Sequence, residues 1–284
     1  MSDIDNLAEQ FEEHRAHLRS VAYRMLGSLS EAEDAVQEAW IRLSRSDVGE
    51  VRNLAAWLTT VVSRLSLDML RSRETRREDA IDDTHVPDPI VTLDPEQEVV
   101  MADSVGLALL VVLETLAPAE RVAFVLHDMF AVPFDDIAVV LERTPAATRQ
   151  LASRARRRVQ GSPTPDADLN RQREVVEAFI AASRGGDFEA LVALLDPEVM
   201  LRVDAGKSSV STLLRGAEAV AGRAFMYRKL SQYSRVVLIN GEPGMLNAPD
   251  GEPSGLMSFT IVNGRVVELN ILADPARLAA LPLT

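Results

Sequence analysis

The sequence predicts a multidomain protein in which two all-α domains, the second a helix-turn-helix, are followed by an α+β domain. Three observations support this. At 284 residues the chain is long enough for about two or three domains of ordinary size. Residues 133–159 read as two short helices joined by a tight turn. After a Gly, Ser and Pro break at 161–168, GSPTPDAD, the pattern changes from helical to mixed helix and strand.

The first domain is read at 1–78, which contains no proline. Ser30 with Glu33 forms a candidate capping box for a helix that buries Ala35, Val36, Ala39, Trp40 and Leu43 and turns Asp34, Gln37 and Glu38 outward. A longer helix follows from about Leu54 to Arg77. Its core residues are Trp57, Leu58, Val61, Val62, Leu65 and Met69, and Arg64, Arg71, Arg73, Arg76 and Arg77 charge it positively. Asp68 stands four residues after Arg64 and three before Arg71, at ion-pairing distance along a helix.

Residues 79–112 contain eight Asp or Glu and no Lys or Arg, in a chain whose net charge is −13. Three prolines oppose helix in the first half, which reads as an extended acidic linker before an apolar helix resumes near Val105. Tethered between two basic modules, such a linker would compete with external anions for them.

The second domain is read at 113–160. Ile137, Val140 and Leu141 follow Asp135 and Asp136 at helical spacing, Glu142 to Thr144 form the turn, and Thr144 caps a second helix with Pro145 in its first turn. That helix is sharply divided. Thr148, Leu151, Ala152, Ala155 and Val159 form the inner stripe, and Arg149, Ser153, Arg154, Arg156, Arg157 and Arg158 cover the rest. Five arginines and no acid between Thr144 and Gln160 suit a phosphate backbone, and a helix fits the major groove. The plainer alternative is a solvated helix end whose arginines complement the macrodipole.

A short linker at 161–170 leads to the third domain, 171–284. Helices are expected at Val175–Ala182, Phe188–Leu195 and Ala217–Leu230. Strands are expected at Val199–Asp204, Arg235–Asn240, Gly255–Val262 and Val266–Leu272, the last two joined at Asn263-Gly264. A curved sheet wrapped around helices accounts for this order.

The absence of cysteine excludes disulfides, thiolate metal sites and a thiol nucleophile, and agrees with a cytoplasmic protein. The acidic start, MSDIDNLAEQ, has no apolar signal-like core, and the run from Val105 to Leu113 is too short to span a membrane. No cofactor or metal is expected, and the free protein is expected to be monomeric.

The stretches DAVQEAWIRL at 34–43, AAWLTTVVSRLSLDMLRSR at 55–73 and LETLAPAERVAFVLHDMFAVPFDDIAVVL with the arginine-rich helix after it resemble an extracytoplasmic-function sigma factor of the sigma-70 family. Residues 171–284 resemble a SnoaL-like domain of the NTF2-like cone fold, found fused to one subgroup of these proteins. The resemblance implies core RNA polymerase and promoter DNA as partners. Asp34, Gln37 and Glu38 would dock on the polymerase. The helix bearing Trp57, Arg64, Arg71 and Arg73 would open and read the minus-ten element. Ala146, Arg149, Ser153, Arg154, Arg156 and Arg157 would meet the minus-thirty-five element.

Many relatives have Gly where this chain has Glu142. Three subgroup motifs stand here in altered form, as His85-Val86-Pro87-Asp88-Pro89, Asp204-Ala205-Gly206-Lys207 and Asp274-Pro275-Ala276-Arg277-Leu278. They imply an interdomain regulatory contact made by Pro87, Asp88, Pro89, Asp204, Gly206, Lys207, Asp274, Pro275 and Leu278.

Two alternatives remain at this point. One is a ligand-sensing helix-turn-helix regulator acting without polymerase. The other is residual cyclase or isomerase chemistry in the third domain, for which Asp204, Tyr227 and Tyr233 are the available acid-base groups. A small-molecule ligand in that domain is left open.

Overall fold

The computed structural model describes residues 3–46, 53–77, 84–93, 105–206 and 211–281. The chain divides into two compact units, Met1–Ile81 with Val112–Gly161, and Asp82–Val111 with Ser162–Thr284.

In the first unit, α1 (Asp3–Leu26), α2 (Leu29–Arg45) and α3 (Leu54–Arg77) pack together. Gly27 takes a left-handed φ of 66° to end α1, so α2 starts at once. Its N-cap is therefore Ser28, whose hydroxyl accepts from the Glu31 N–H at 3.5 Å, rather than the expected Ser30. Glu33, the expected capping partner, pairs instead with Arg19 at 2.9 Å. Ala35, Val36, Ala39 and Leu43 are buried as expected, whereas Trp40 is half-buried, 5.1 Å from Phe11 between ring centroids.

The buried stripe of α3 differs from expectation. Leu58, Val62, Ser63, Ser66, Leu67 and Leu70 are buried, while Trp57, Val61, Leu65 and Met69 are half-exposed. Two small serines thus occupy the inner face, which a count of apolar residues alone misses.

The helix-turn-helix is formed by α6 (Phe134–Leu141) and α7 (Pro145–Gln160), supported by α5 (Pro118–Phe124) and one π-helical turn at Val125–Met129. Thr144 caps α7, its hydroxyl accepting from the Ala147 N–H at 3.2 Å, and Thr148, Ala152 and Ala155 are buried beneath it. Glu142 ends α6 with φ 53° and ψ 45°. An L-residue with a side chain is strained in this left-handed conformation, which glycine adopts freely.

The two helical groups pack against each other within this unit, α3 against α5 and α6, and α1 against the π-helical turn. Buried Arg121 donates to the Met25 carbonyl at 2.9 Å, and Arg64 donates to the Val139 carbonyl at 3.0 Å. His17 meets Phe130 edge-on at 5.3 Å, and the Arg24 guanidinium lies 4.6 Å above the same ring.

In the second unit a seven-stranded sheet has the order β1-β4-β5-β6-β7-β2-β3, with β1 at Val91–Thr92, β2 at Leu195–Asp204, β3 at Thr212–Arg215, β4 at Ser234–Ile239, β5 at Glu242–Asn247, β6 at Gly255–Val262 and β7 at Arg265–Leu272. Among the described residues only the β2–β7 pairing is parallel. The sheet packs on α8 (Leu169–Gly185), α9 (Phe188–Leu194) and α10 (Ala217–Met226), with Phe179 of α8 edge-on to Phe259 of β6 at 5.3 Å. This mixed sheet around three helices is the cone-like α+β arrangement expected. The third helix ends four residues earlier than expected, at Met226.

The Asn263-Gly264 turn is present, both residues having positive φ, and the Asp166 carboxylate accepts from both their N–H groups at 2.8 Å. The Asn240-Gly241 pair makes an equivalent turn between β4 and β5, a hairpin the sequence reading missed although it carries the same signal. Helix α4 (Leu107–Glu114) lies across the division between the units in sequence. Just before it, a Cβ on Gly106 would stand 2.6 Å from the Glu242 carboxylate, which would have to move to admit a side chain there.

Two outcomes follow. Glu142→Gly relieves the strained helix end and is expected to stabilise the first unit by about 1 kcal/mol, read as a higher melting temperature. Burial pushes the Glu242 carboxyl from 4.5 up to about 7. A folded-state pKa above the unfolded value contributes stability that is full at low pH and lost as pH rises through about 7. Melting curves between about pH 5 and 7.5 should therefore show native protein losing on the order of 3 kcal/mol relative to Glu242→Gln as pH increases.

Candidate functional site

Helix α7 carries its candidate DNA contacts on one side. Ala146, Arg149, Ser153, Arg154 and Arg157 are exposed, and Arg156 is half-buried. Arg156 is drawn to Asp128 at 2.6 Å and Arg154 lies 4.0 Å from Glu120, so part of the positive face is balanced internally. Arg149 lies 5.5 Å from the centroid of the Phe134 ring. The structure therefore gathers the six residues on one helix, with Arg149 and Arg157 forming no ion pair among the described residues.

The α3 candidates separate. Trp57 is half-exposed, and Arg71 is exposed, 3.8 Å from Asp68. Asp68 does not bridge to Arg64, whose guanidinium binds α6 instead. Arg73, expected among the DNA contacts, is turned inward here. It is mostly buried, pairs with the Glu31 carboxylate, and donates to the Leu26 carbonyl at 2.8 Å, clamping α3 to the end of α1 and the start of α2. Asp34 and Gln37 are exposed on α2, whereas Glu38 is half-buried and pairs with Arg42 at 3.0 Å.

The expected regulatory residues meet in the second unit, except Lys207, which lies outside the described residues. Asp204 is 3% exposed at the end of β2. Its carboxylate accepts from the Val86 N–H at 3.0 Å, the Gly206 N–H at 3.1 Å and the Arg277 guanidinium at 2.6 Å, and lies 3.2 Å from His85. Burial, the largest single influence, raises its pKa. The His85 contact, the two backbone donors and the Arg277 charge together outweigh it and hold the group at about 2.

Arg277 also donates to Asp88 at 2.6 Å and to the Val86 carbonyl at 2.5 Å. It is positioned by α11 (Pro275–Ala279), which Asp274 caps, with Pro275 in the first turn and Leu278 buried. Gly206, at φ 72°, has no room for a side chain against the Asp274 carboxylate.

At this site the chain between the two helical modules is held within the second unit. Pro87 and Pro89 are buried and lack donors, so residues 84–90 cannot form a regular ladder. The N–H groups on either side of the two prolines are satisfied individually, Val86 by Asp204 and Ile90 by the Asn240 side chain at 2.9 Å. Val91 and Thr92 then join the sheet as β1, antiparallel to β4. Asp88 is bound by Arg277 instead of being available to the basic helices. Of the other linker acids, Asp79, Asp82, Asp83, Asp94, Glu96, Glu98 and Asp103 lie outside the described residues.

The sequence reading missed Arg277 and Asn240. Arg277 stands at the basic position of a motif already singled out, which was the available signal. Asn240 donates to the Val105 carbonyl at 2.9 Å while also holding Ile90, and nothing local in the sequence announces that role. Asp204, considered as an acid-base group, is engaged by the linker and does not line the cavity of this unit, nor does Tyr233.

Comparison with known proteins agrees with both halves of this geometry. Residues 10–76 match the sigma-70 region 2 family and residues 106–159 match sigma-70 region 4. The chain is 41% identical to the ECF RNA polymerase sigma factor SigJ of Mycobacterium tuberculosis, over 96% of this chain and 94% of the relative. It is 37% identical to the probable ECF sigma factor SigI of the same organism, over 98% and 97%. The crystal structure of M. tuberculosis SigJ superposes with a TM-score of 0.78 at 38% identity, covering 98% of this chain and all of that one. No helix among the described residues is long and apolar enough to cross a membrane. With matches to both sigma regions and to full-length relatives, the chain belongs to the extracytoplasmic-function sigma factors, which direct bacterial RNA polymerase to promoters.

Proposed function

We propose that this sigma factor reads the minus-thirty-five element with the exposed face of α7, centred on Arg149, Ser153 and Arg157, and the minus-ten element with the Trp57 and Arg71 side of α3. Asp34 and Gln37 on α2 face the polymerase. The domains act as assigned from sequence, residues 1–78 and 113–160 as promoter modules and 171–284 as a regulator in cis, working in the cytoplasm where polymerase and promoters are.

The observation that carries this reading is the closed first unit. Arg64 of one promoter module is bound to Val139 of the other, and Arg121 joins α5 to the end of α1. Two promoter elements separated along DNA cannot be read by modules in mutual contact, so engagement with polymerase separates them. The C-terminal unit restrains that step by holding the connecting chain. A free segment of n residues can extend to roughly 3.3 Å per residue, and docking at 84–93 and at Val105 withdraws much of that length. Asp204 and Arg277 act as the latch.

Two measurements test the proposal. Arg149→Glu with Arg157→Glu should weaken promoter binding by the reconstituted holoenzyme by about tenfold or more and abolish most run-off transcription; unchanged transcription removes α7 as the reader. Arg277→Ala leaves Asp204 buried without its cation and should expose the amides of residues 84–93 to hydrogen exchange while raising run-off transcription. Faster exchange with unaltered transcription would remove control in cis while leaving promoter recognition intact.

A further inference from the structure

The second unit contains a cavity of about 390 Å³ between α8, α10 and the concave face of the sheet. Phe179, Leu201, Val203, Val220, Met245 and Leu269 make its wall largely apolar. Among the described residues lining it there is one charged group, Arg223, and no acid. Val220, Arg223, Ala224 and Tyr227 line the cavity from one face of α10 and the turn after it, and the Arg223 guanidinium lies 4.7 Å over the Tyr227 ring. It has no ion pair among the described residues.

Most of the other polar groups in the lining already have partners within the protein. The Ser231 hydroxyl donates to the Arg228 carbonyl, Ser254 to the Asn247 carbonyl, and Ser234 is bonded to the Asn247 side chain. Ser183 differs. It is 5% exposed, lines the cavity, and its hydroxyl makes no hydrogen bond among the described residues. An unpaired guanidinium beside an apolar chamber favours an anion, and a hydroxyl in the same lining can donate to one.

We propose that this cavity is a binding site for an amphipathic monocarboxylate, a molecule with an apolar body of about ten carbons and one carboxylate head. The body fills the apolar wall, in the size range of ordinary small-molecule sites. The head receives the planar donors of Arg223, with Ser183 as a second polar contact. A single cation with no second basic group lining the chamber matches one negative charge better than the double charge of a phosphate monoester. The cavity adjoins the latch without including its charged groups: Leu201, Val203, Ala205 and Ala273 line it, whereas the Asp204 carboxylate binds the linker.

Calorimetry on the full-length protein tests this with decanoate as the probe, 1-decanol as its neutral counterpart and decyltrimethylammonium as its cationic one. Decanoate is expected to bind at one site, at least tenfold tighter than either counterpart. Arg223→Gln should remove that preference while leaving the melting temperature of the unliganded protein unchanged, and Leu201→Trp, which fills the chamber, should abolish binding of all three. Absence of decanoate binding overturns the proposal, as do equal affinities for decanoate and decanol or a preference that survives Arg223→Gln. The readout is binding alone, so its failure is independent of promoter recognition and of control in cis.

Discussion

The guanidinium of Arg277 is the point on which the course of the chain between the helical modules depends. It joins two carboxylates and one carbonyl that come from distant parts of the sequence, Asp88 and Val86 from the linker and Asp204 from the sheet. None would be held there by local preference. The linker is acidic and broken by prolines, which interrupt its run of backbone donors and keep it from forming a regular element by itself. One cation and a few individually placed acceptors convert it into part of a folded domain. An Arg suits this role because its rigid fork presents several donors at fixed angles, which a Lys ammonium cannot do.

The helical unit uses the same residue type differently. Its arginines divide into those that close the fold and those that remain outward. Arg73, Arg121 and Arg64 donate to backbone carbonyls, Arg73 and Arg121 from buried or mostly buried positions. Arg149 and Arg157 stay on the surface of α7. Basic composition alone therefore overstates the nucleic-acid surface, since a helix rich in arginine can spend part of its charge on its own neighbours. The opposition of Arg156 and Asp128 also moderates the local field and leaves α7 less basic than its sequence implies.

Much of this was legible from residues alone. The helix-turn-helix with its Thr144 cap, the inner stripe of α7, the β6–β7 hairpin and the three-part order follow from period, capping and turn chemistry that act over a few residues. What was not legible shares one physical cause. The strand at 91–92 is two residues long and exists because β4 offers it a partner. Likewise, the burial of Ser63 and Ser66 is set by the helices packed around α3, and Arg73 shows its role only when Glu31 and the Leu26 carbonyl come into range. The cavity was open as an idea, but the lone cation in its wall became visible only when α10 was folded over the sheet.

The two-residue strand also has a cost when it leaves. While Val91 and Thr92 are paired, the outer margin of β4 is occupied at Ile239 and Leu238, both buried. Departure of the linker uncovers backbone groups and aliphatic side chains together, the combination that recruits another chain into a growing sheet. A detached linker thus makes this protein prone to self-association, and the time it can remain detached in isolation is bounded by how soon a larger assembly, or its own return, shelters that margin again.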